Sequence, residues 1–459
     1  MNQPAPFHSA LVAARVSACP GLLHIVPARD GGLCRIRLPG GVLHAGQARA
    51  LAAAASLHAS GIIEATNRAN VQLRGVSAAH EAALVEQLLA AGLGPQDGAG
   101  SLNERDNVRN IMLSPLAGRG VGSLLDTRPL AAALLDMLQT TPAFAALSPK
   151  FCLLLDGGEA LAATRHAHDI WLAALPADGA GPRLALGLAG CPPAAVRDEP
   201  PLAIVRPHQV VAVVAALLQA FLQLARPAQH RMREVLAEHP AATVLAHAQL
   251  HVDFALGTDP ALANWHRAPE ATGLRVGIHA QQSDAGMPTC YYVGAQLPLG
   301  RIAAADLLQL ADISQGTLHF TPWQSVLIPD LSEARAHATQ AQLQAMGLLT
   351  DPGDPLASLI ACAGSTGCGK AQADVKTDAL ALAGLLARPQ AVHLSGCERS
   401  CAAAHSARWT LLAVAPARYD LYQHSDQGGF GTCLAQQLTL AQAAAFINAQ
   451  PARTDSLDA

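Results

Sequence analysis

The chain has 459 residues, of which 51% are apolar and only 14% charged, with a net charge of −4 and a pI near 6.5. That balance excludes a disordered chain, and it speaks against a nucleic-acid partner or an anionic membrane surface. The length exceeds what one hydrophobic core organises and predicts about three domains.

The opening MNQPAPFHSALVAARVSACPG lacks a basic patch followed by an apolar run and a cleavage site, so no secretory signal is read and a cytoplasmic location is expected. A strand is predicted over 34–38, a helix over 48–58, and a second strand over 70–76 ahead of another helix. Residues 61–93 then align without a gap, at an offset of 255, with residues 316–348. Gly61/Gly316, Thr66/Thr321, Val71/Val326, Gly92/Gly347 and Leu93/Leu348 are identical, which marks an internal duplication. The second copy repeats the pattern with a strand over 289–294, a helix over 303–311 and a strand over 325–329. Between the copies, strand-like runs at 151–155 and 170–175 alternate with helical runs at 130–138 and 210–224. The apolar stretch 210–225 is interrupted by Gln219 and Gln223 and is shorter than the ~20 residues of a membrane span, so it reads as a buried helix. Another mixed block follows Asp351, giving the order half-domain, α/β block, half-domain, α/β block.

Ten cysteines in so long a chain do not resemble a small disulfide scaffold. Four of them form two close pairs: Cys362 and Cys368 at Cys-x5-Cys spacing, then Cys397 and Cys401 at Cys-x3-Cys spacing. Thiolates are the soft ligands that an iron–sulfur cluster requires, and Gly364, Gly367 and Gly396 allow tight backbone turns around one. A structural zinc is the alternative, although its paired cysteines are usually closer in sequence; unrelated buried thiols are another. The run Gly364-Ser-Thr-Gly-Cys-Gly-Lys370 nearly spells a phosphate-binding loop, but Ala371 supplies no hydroxyl for magnesium. Cys19, Cys34, Cys152, Cys191, Cys290 and Cys433 have no ligand spacing and are expected to pack as small apolar groups.

Paired cysteines, duplicated half-domains and clustered basic residues together resemble the sirohaem-type sulfite/nitrite reductase superfamily over nearly the whole chain. Within it, residues 18–41 (ACPGLLHIVPARDGGLCRIRLPGG), 66–75 (TNRANVQLRG) and 392–402 (VHLSGCERSCA) resemble most closely the precorrin-3B synthases of aerobic cobalamin biosynthesis. The resemblance implies an α+β fold in which duplicated ferredoxin-like half-domains, 18–105 and 271–350, combine with two α/β units, 106–270 and 351–459. The last unit would hold a 4Fe-4S cluster on Cys362, Cys368, Cys397 and Cys401, beside a tetrapyrrole held among basic side chains. Its catalytic residues fall on Arg68, Arg109 and Lys150, and Arg35, Arg37 and Arg74 are candidates for binding substrate. Such residues suit a ligand with carboxylate arms, because guanidinium forks bind carboxylates bidentately. Arg275 and Arg399 lie near the motifs and read equally well as solvated surface.

Where sulfite reductases carry a second active-site lysine, this chain has Cys152, which disfavours reduction of a small oxyanion. Arg68 corresponds to Trp323 in the duplicated copy, so only one of two related pockets keeps its charge. His279, His393 and His405 are candidate ligands for a second iron. The implied activity is O2-dependent hydroxylation and lactone formation on precorrin-3A, with a mononuclear iron or sirohaem as a further redox group. No Gly-x-Gly-x-x-Gly opens a helix, so an external reductase or ferredoxin is expected to supply electrons. The alternatives are a sirohaem-dependent sulfite or nitrite reductase, in which Cys401 bridges cluster and haem iron, and a non-catalytic iron–sulfur electron carrier.

Overall fold

Two five-stranded antiparallel sheets built from the duplicated segments form the centre of the computed structural model, which describes residues 19–257, 259–282, 288–403, 407–425 and 429–451. The first sheet runs Val26–Ala28, Gly31–Ile36, Val71–Val76 and Ile62–Ala65, and its outer strand is Arg301–Ala303 from the second copy. The other sheet runs Gly277–Ala280, Tyr291–Gln296, Ser325–Leu331 and Thr317–Phe320, closed by Val42–His44 from the first copy. Each half-domain thus lends a three-residue strand that covers the exposed edge of its partner.

The exchanged strands lead directly into helices Ala45–His58 and Ala304–Ser314, which pack on one another. The first is alanine-rich, which favours helix, and it buries Ala48, Leu51, Ala52 and Ala55 at helical spacing. Both half-domains contribute to one continuous core, from Leu22 to Leu93 and from Val293 to Leu348. The 255-residue register of the duplication is visible in the backbone. Ala69 and Gln324 are both left-handed (φ +55° and +62°), as are Gly75 and Asp330 (+74° and +61°).

The α/β units repeat each other too. In the first, Ile111–Leu113, Leu153–Asp156 and Ile170–Asp178 are parallel, followed by antiparallel Gly181–Leu188 and Ala203–Val205. In the second, Leu359–Ala361, Val392–Ser395 and Trp409–Ala415 are parallel, followed by antiparallel Arg418–Gln423 and Thr432–Leu438. Helices Arg128–Thr140 and Val375–Ala383 fill the first crossover of each unit, and Val210–Leu224 and Leu440–Ala449 follow the last strand. Residues 207–224 are long and apolar enough to pass for a membrane span by composition. Here, however, Val210, Val213, Val214, Leu217, Leu218 and Phe221 point into the core of the first unit. The helix Leu102–Asn107 straddles the boundary expected at 105/106, and joins half-domain to unit.

Candidate active site

Strand Leu359–Ala361 ends on Cys362, a single helical turn Gly364–Gly367 precedes Cys368, and strand Val392–Ser395 runs into Gly396 and Cys397. Parallel pairing of Ala361 with Leu394 sets the two cysteine loops side by side at one end of the sheet. Gly396 donates its N–H to the Cys362 sulfur at 3.3 Å, and a Cβ on it would lie 2.6 Å from that of Ala371. Gly364 is left-handed at φ +68°, which lets the chain turn between the first two cysteines. Cys401 follows four residues after Cys397 and is exposed, while the other three are half-buried. A zinc ion would draw its ligands to about 2.3 Å from one point. Among the described residues no three of His, Cys, Asp or Glu are so gathered. The donor set fits a 4Fe-4S cluster better, since each thiolate then binds a different iron.

Half-domain side chains hold these loops by their carbonyls. Arg29 donates to Ser365 O (3.0 Å), Asn67 to Cys401 O (3.1 Å) and Gln324 to Ala402 O (3.4 Å). Arg74, ion-paired with Asp30 at 2.8 Å, also donates to Gly367 O. The buried Lys376 donates to Leu299 O (2.6 Å); burial pushes its ammonium down to about 8, against the opposing pull of Glu64 and, more weakly, Cys362.

The corresponding place in the first unit holds a carboxyl group. Thirteen residues join Asp156 to Ile170 there, as thirteen join Ser395 to Trp409 in the second unit. Glu159 accepts from Gly118 N–H and Gly157 N–H (both 3.1 Å) and from Ser123 Oγ (3.3 Å), fastening together the loops that cysteines occupy in the second unit. It is fully buried, and burial, then Asp156, push its carboxyl up to about 7. Asp156 is itself paired with Arg267 (2.6 Å).

The structure separates the expected basic residues into two groups. Arg37 and Arg109 share the fully buried Asp106, at 2.5 and 3.2 Å; Arg37 also reaches Asn107 and Asn110, and Arg109 the carbonyl of Leu93. Their guanidinium groups join half-domain to α/β unit rather than stand free for a ligand, and Arg74 is likewise engaged with Asp30 and the cysteine loop. Arg35 and Arg68 have no carboxylate partner among the described residues. Arg35 donates to Gln72 (3.4 Å), and its Nε is buried without a partner among the described residues. Burial pushes Arg35 down to about 10, followed by repulsion from Arg37; Cys401 and Arg68 are also within its electrostatic reach. Arg68 donates to Cys152 Sγ (2.7 Å) and to Ala167 O (3.2 Å). Lys150 is exposed.

Cys152 does not behave as the apolar filler the sequence suggests. Its N–H donates to Asp169 (2.9 Å), and its sulfur lies between Arg68 and Arg231 (3.8 Å). Asp169 in turn pairs with Arg231 at 2.9 Å. Arg231, Asp169 and Asn67 escape sequence reasoning; only the position of Asn67 inside the Thr-Asn-Arg turn hints at its part. His279 and His393 sit on different sheets, with His279 bound to Val276 O (2.8 Å) and His393 buried, so the structure does not bring them together. His405 lies outside the described residues. Trp323 is buried beneath Arg275, whose guanidinium stacks on its ring at 4.5 Å.

Residues 104–253 match the family described as the nitrite and sulphite reductase 4Fe-4S domain, and residues 26–91 and 282–346 match the nitrite/sulfite reductase ferredoxin-like half domain. The first match falls on the unit without the paired cysteines, whose strand order the second unit repeats. A chloroplastic ferredoxin–nitrite reductase of Zea mays is 30% identical over 80% of this chain and 67% of its own length. A precorrin-3B synthase of a Sinorhizobium species is 28% identical over 93% of this chain and 89% of its own. The solved NirA protein of Mycobacterium tuberculosis has the same fold, with a TM-score of 0.72 at 21% identity, covering 91% of this chain and 79% of that one. The chain belongs to the nitrite/sulfite reductase superfamily, an α+β family of oxidoreductases, and its cofactor is a 4Fe-4S cluster.

Proposed function

We propose that the protein is a precorrin-3B synthase, hydroxylating precorrin-3A with O2 and closing a lactone from a neighbouring acetate arm. The observation that carries this reading is the near end-to-end match to a precorrin-3B synthase, 93% of this chain against 89% of the relative. Nitrite reductases of higher identity align over only 80% of the chain. Cys152 supports the same choice: it places a neutral thiol, whose ionisation burial disfavours, between Arg68 and Arg231, where a site for a small dianion would gain from another cation.

Cys362, Cys368, Cys397 and Cys401 are the ligands we assign to the cluster, which when bound supplies electrons one at a time. Arg68 and Arg35, half-buried cations with no carboxylate partner among the described residues, orient the carboxylate arms of the tetrapyrrole. Lys150 offers an exposed ammonium for a further arm. Arg37 and Arg109 hold the wall of the site through Asp106, and Arg74 steadies the cysteine loop. Electrons come from a separate protein, as the ferredoxin in the names of the nitrite reductase relatives suggests.

The nitrite reductase relatives favour one other reading, a sirohaem enzyme, because Arg35 and Arg68 suit the carboxylates of sirohaem as well as those of precorrin. Visible and electron-paramagnetic spectra of anaerobically purified protein, followed by precorrin-3A with reductant and O2, separate the two. A cluster signal without sirohaem bands and an oxygenated product support the synthase. Sirohaem bands with unchanged precorrin and consumption of nitrite or sulfite would replace it with the reductase.

A further inference from the structure

Neighbouring side chains of one turn reach in opposite directions. Asn67 donates from Nδ2 to the carbonyl of Cys401 in the second α/β unit, at 3.1 Å. Arg68 donates to Cys152 Sγ and Ala167 O in the first, at 2.7 and 3.2 Å. The turn that carries them is internally braced. Thr66 Oγ1 accepts the N–H groups of Arg68 (3.4 Å) and Asn70 (3.1 Å), Thr66 N–H donates to Asn70 O (2.8 Å), and Ala69 takes the left-handed conformation. Asn70 Oδ1 accepts from Leu38 N–H at 2.8 Å, which fastens the base of the turn to the sheet. The contact to Cys401 and the contacts to Cys152 and Ala167 are thus made from adjacent residues of one braced turn.

We propose that Asn67 is a positioning residue that makes the setting of Arg68 depend on loading of the cluster. Ligation of Cys401 fixes its carbonyl, the carbonyl fixes Asn67, and Arg68 is then presented to an anionic arm of the tetrapyrrole. The identity of that ligand rests on the reading above, whereas the coupling needs only the cluster. The order of assembly follows: cluster first, tetrapyrrole second. The duplicated half-domain provides a built-in comparison, because Gln324 of the related turn donates to Ala402 O (3.4 Å) while the residue matching Arg68 is the buried, uncharged Trp323. That turn grips the same loop without presenting a charge.

Hydrogen exchange of the amides of residues 66–70, compared between cluster-free and iron–sulfur-reconstituted full-length protein, tests the coupling. In the wild type, loading should slow exchange about fivefold, the worth of one hydrogen bond. Asn67→Ala, and Asn67→Asp, which keeps the size but cannot donate, should retain the cluster absorbance and lose this slowing; Gln324→Ala should keep it. Equal slowing in the Asn67 variants, no slowing in wild type whose cluster absorbance is present, or loss of the cluster in Asn67→Ala would each overturn the proposal. No tetrapyrrole enters the experiment, so its failure leaves the precorrin reading untouched, and failure of that reading leaves the coupling standing.

Discussion

Replacing Asp106 by Asn removes one negative charge from a place where two guanidinium groups depend on it. Asp106 is completely buried, and the side chains of Arg37 and Arg109 are 2% and 8% exposed. Burial already pushes Arg109 below its usual value, so neither cation can be relieved by water. Breaking a buried pair in this way typically costs about 3–5 kcal/mol, because the remaining charge is left uncompensated. In a unit of this size each kcal/mol corresponds to roughly 2–4 °C, so Asp106→Asn should lower the melting temperature by about 10 °C. Thermal melting of the cluster-free protein by circular dichroism provides the measurement, since cluster loss then does not contribute. A decrease under about 2 °C would show that Asp106 does not hold the two cations and would return Arg37 and Arg109 to the set of ligand-facing residues.

Other outcomes follow from the site. Cys397→Ser should abolish the cluster absorbance, while Cys433→Ser, in the outer strand Thr432–Leu438, should leave it intact; equal effects would sink the ligand assignment. Arg68→Ala should weaken tetrapyrrole binding by about 10- to 100-fold, the worth of a charge-assisted contact, with the cluster retained; titration by absorbance reads both. Glu159 predicts a pH effect. Its carboxyl is raised from 4.5 to about 7 in the folded chain, so between those values the unfolded chain releases the proton first and stability falls as pH rises. The total is about 3 kcal/mol at most, and Glu159→Gln should flatten the slope across that window in urea titrations at several pH values. An unchanged slope would show that the carboxyl is not the group responsible.

Much of this architecture is written in local patterns. The strands at 70–76 and 170–175 and the helix over 210–224 are visible in the periodicity, and the register of the duplication follows from the identities between 61–93 and 316–348. The cysteine pairs are legible because ligand chemistry constrains spacing. The exchange of strands Val42–His44 and Arg301–Ala303 is not, since three residues carry no period and their partners lie in the other half-domain. Nor does sequence reveal that Arg37 and Arg109 converge on Asp106, or that the Cys152 thiol sits between Arg68 and Arg231. A basic residue near a motif looks the same whether it faces a ligand or an internal carboxylate, and only the tertiary fold decides which. Arg35 and Arg68 stand apart because they have no such partner among the described residues.

Turnover of precorrin-3A by the reconstituted protein with an external reductant under 18O2, followed by product mass, tests the synthase activity directly. The product should carry one labelled oxygen atom from O2. Recovery of unlabelled precorrin-3A by a protein that consumes nitrite or sulfite with the same reductant would contradict it.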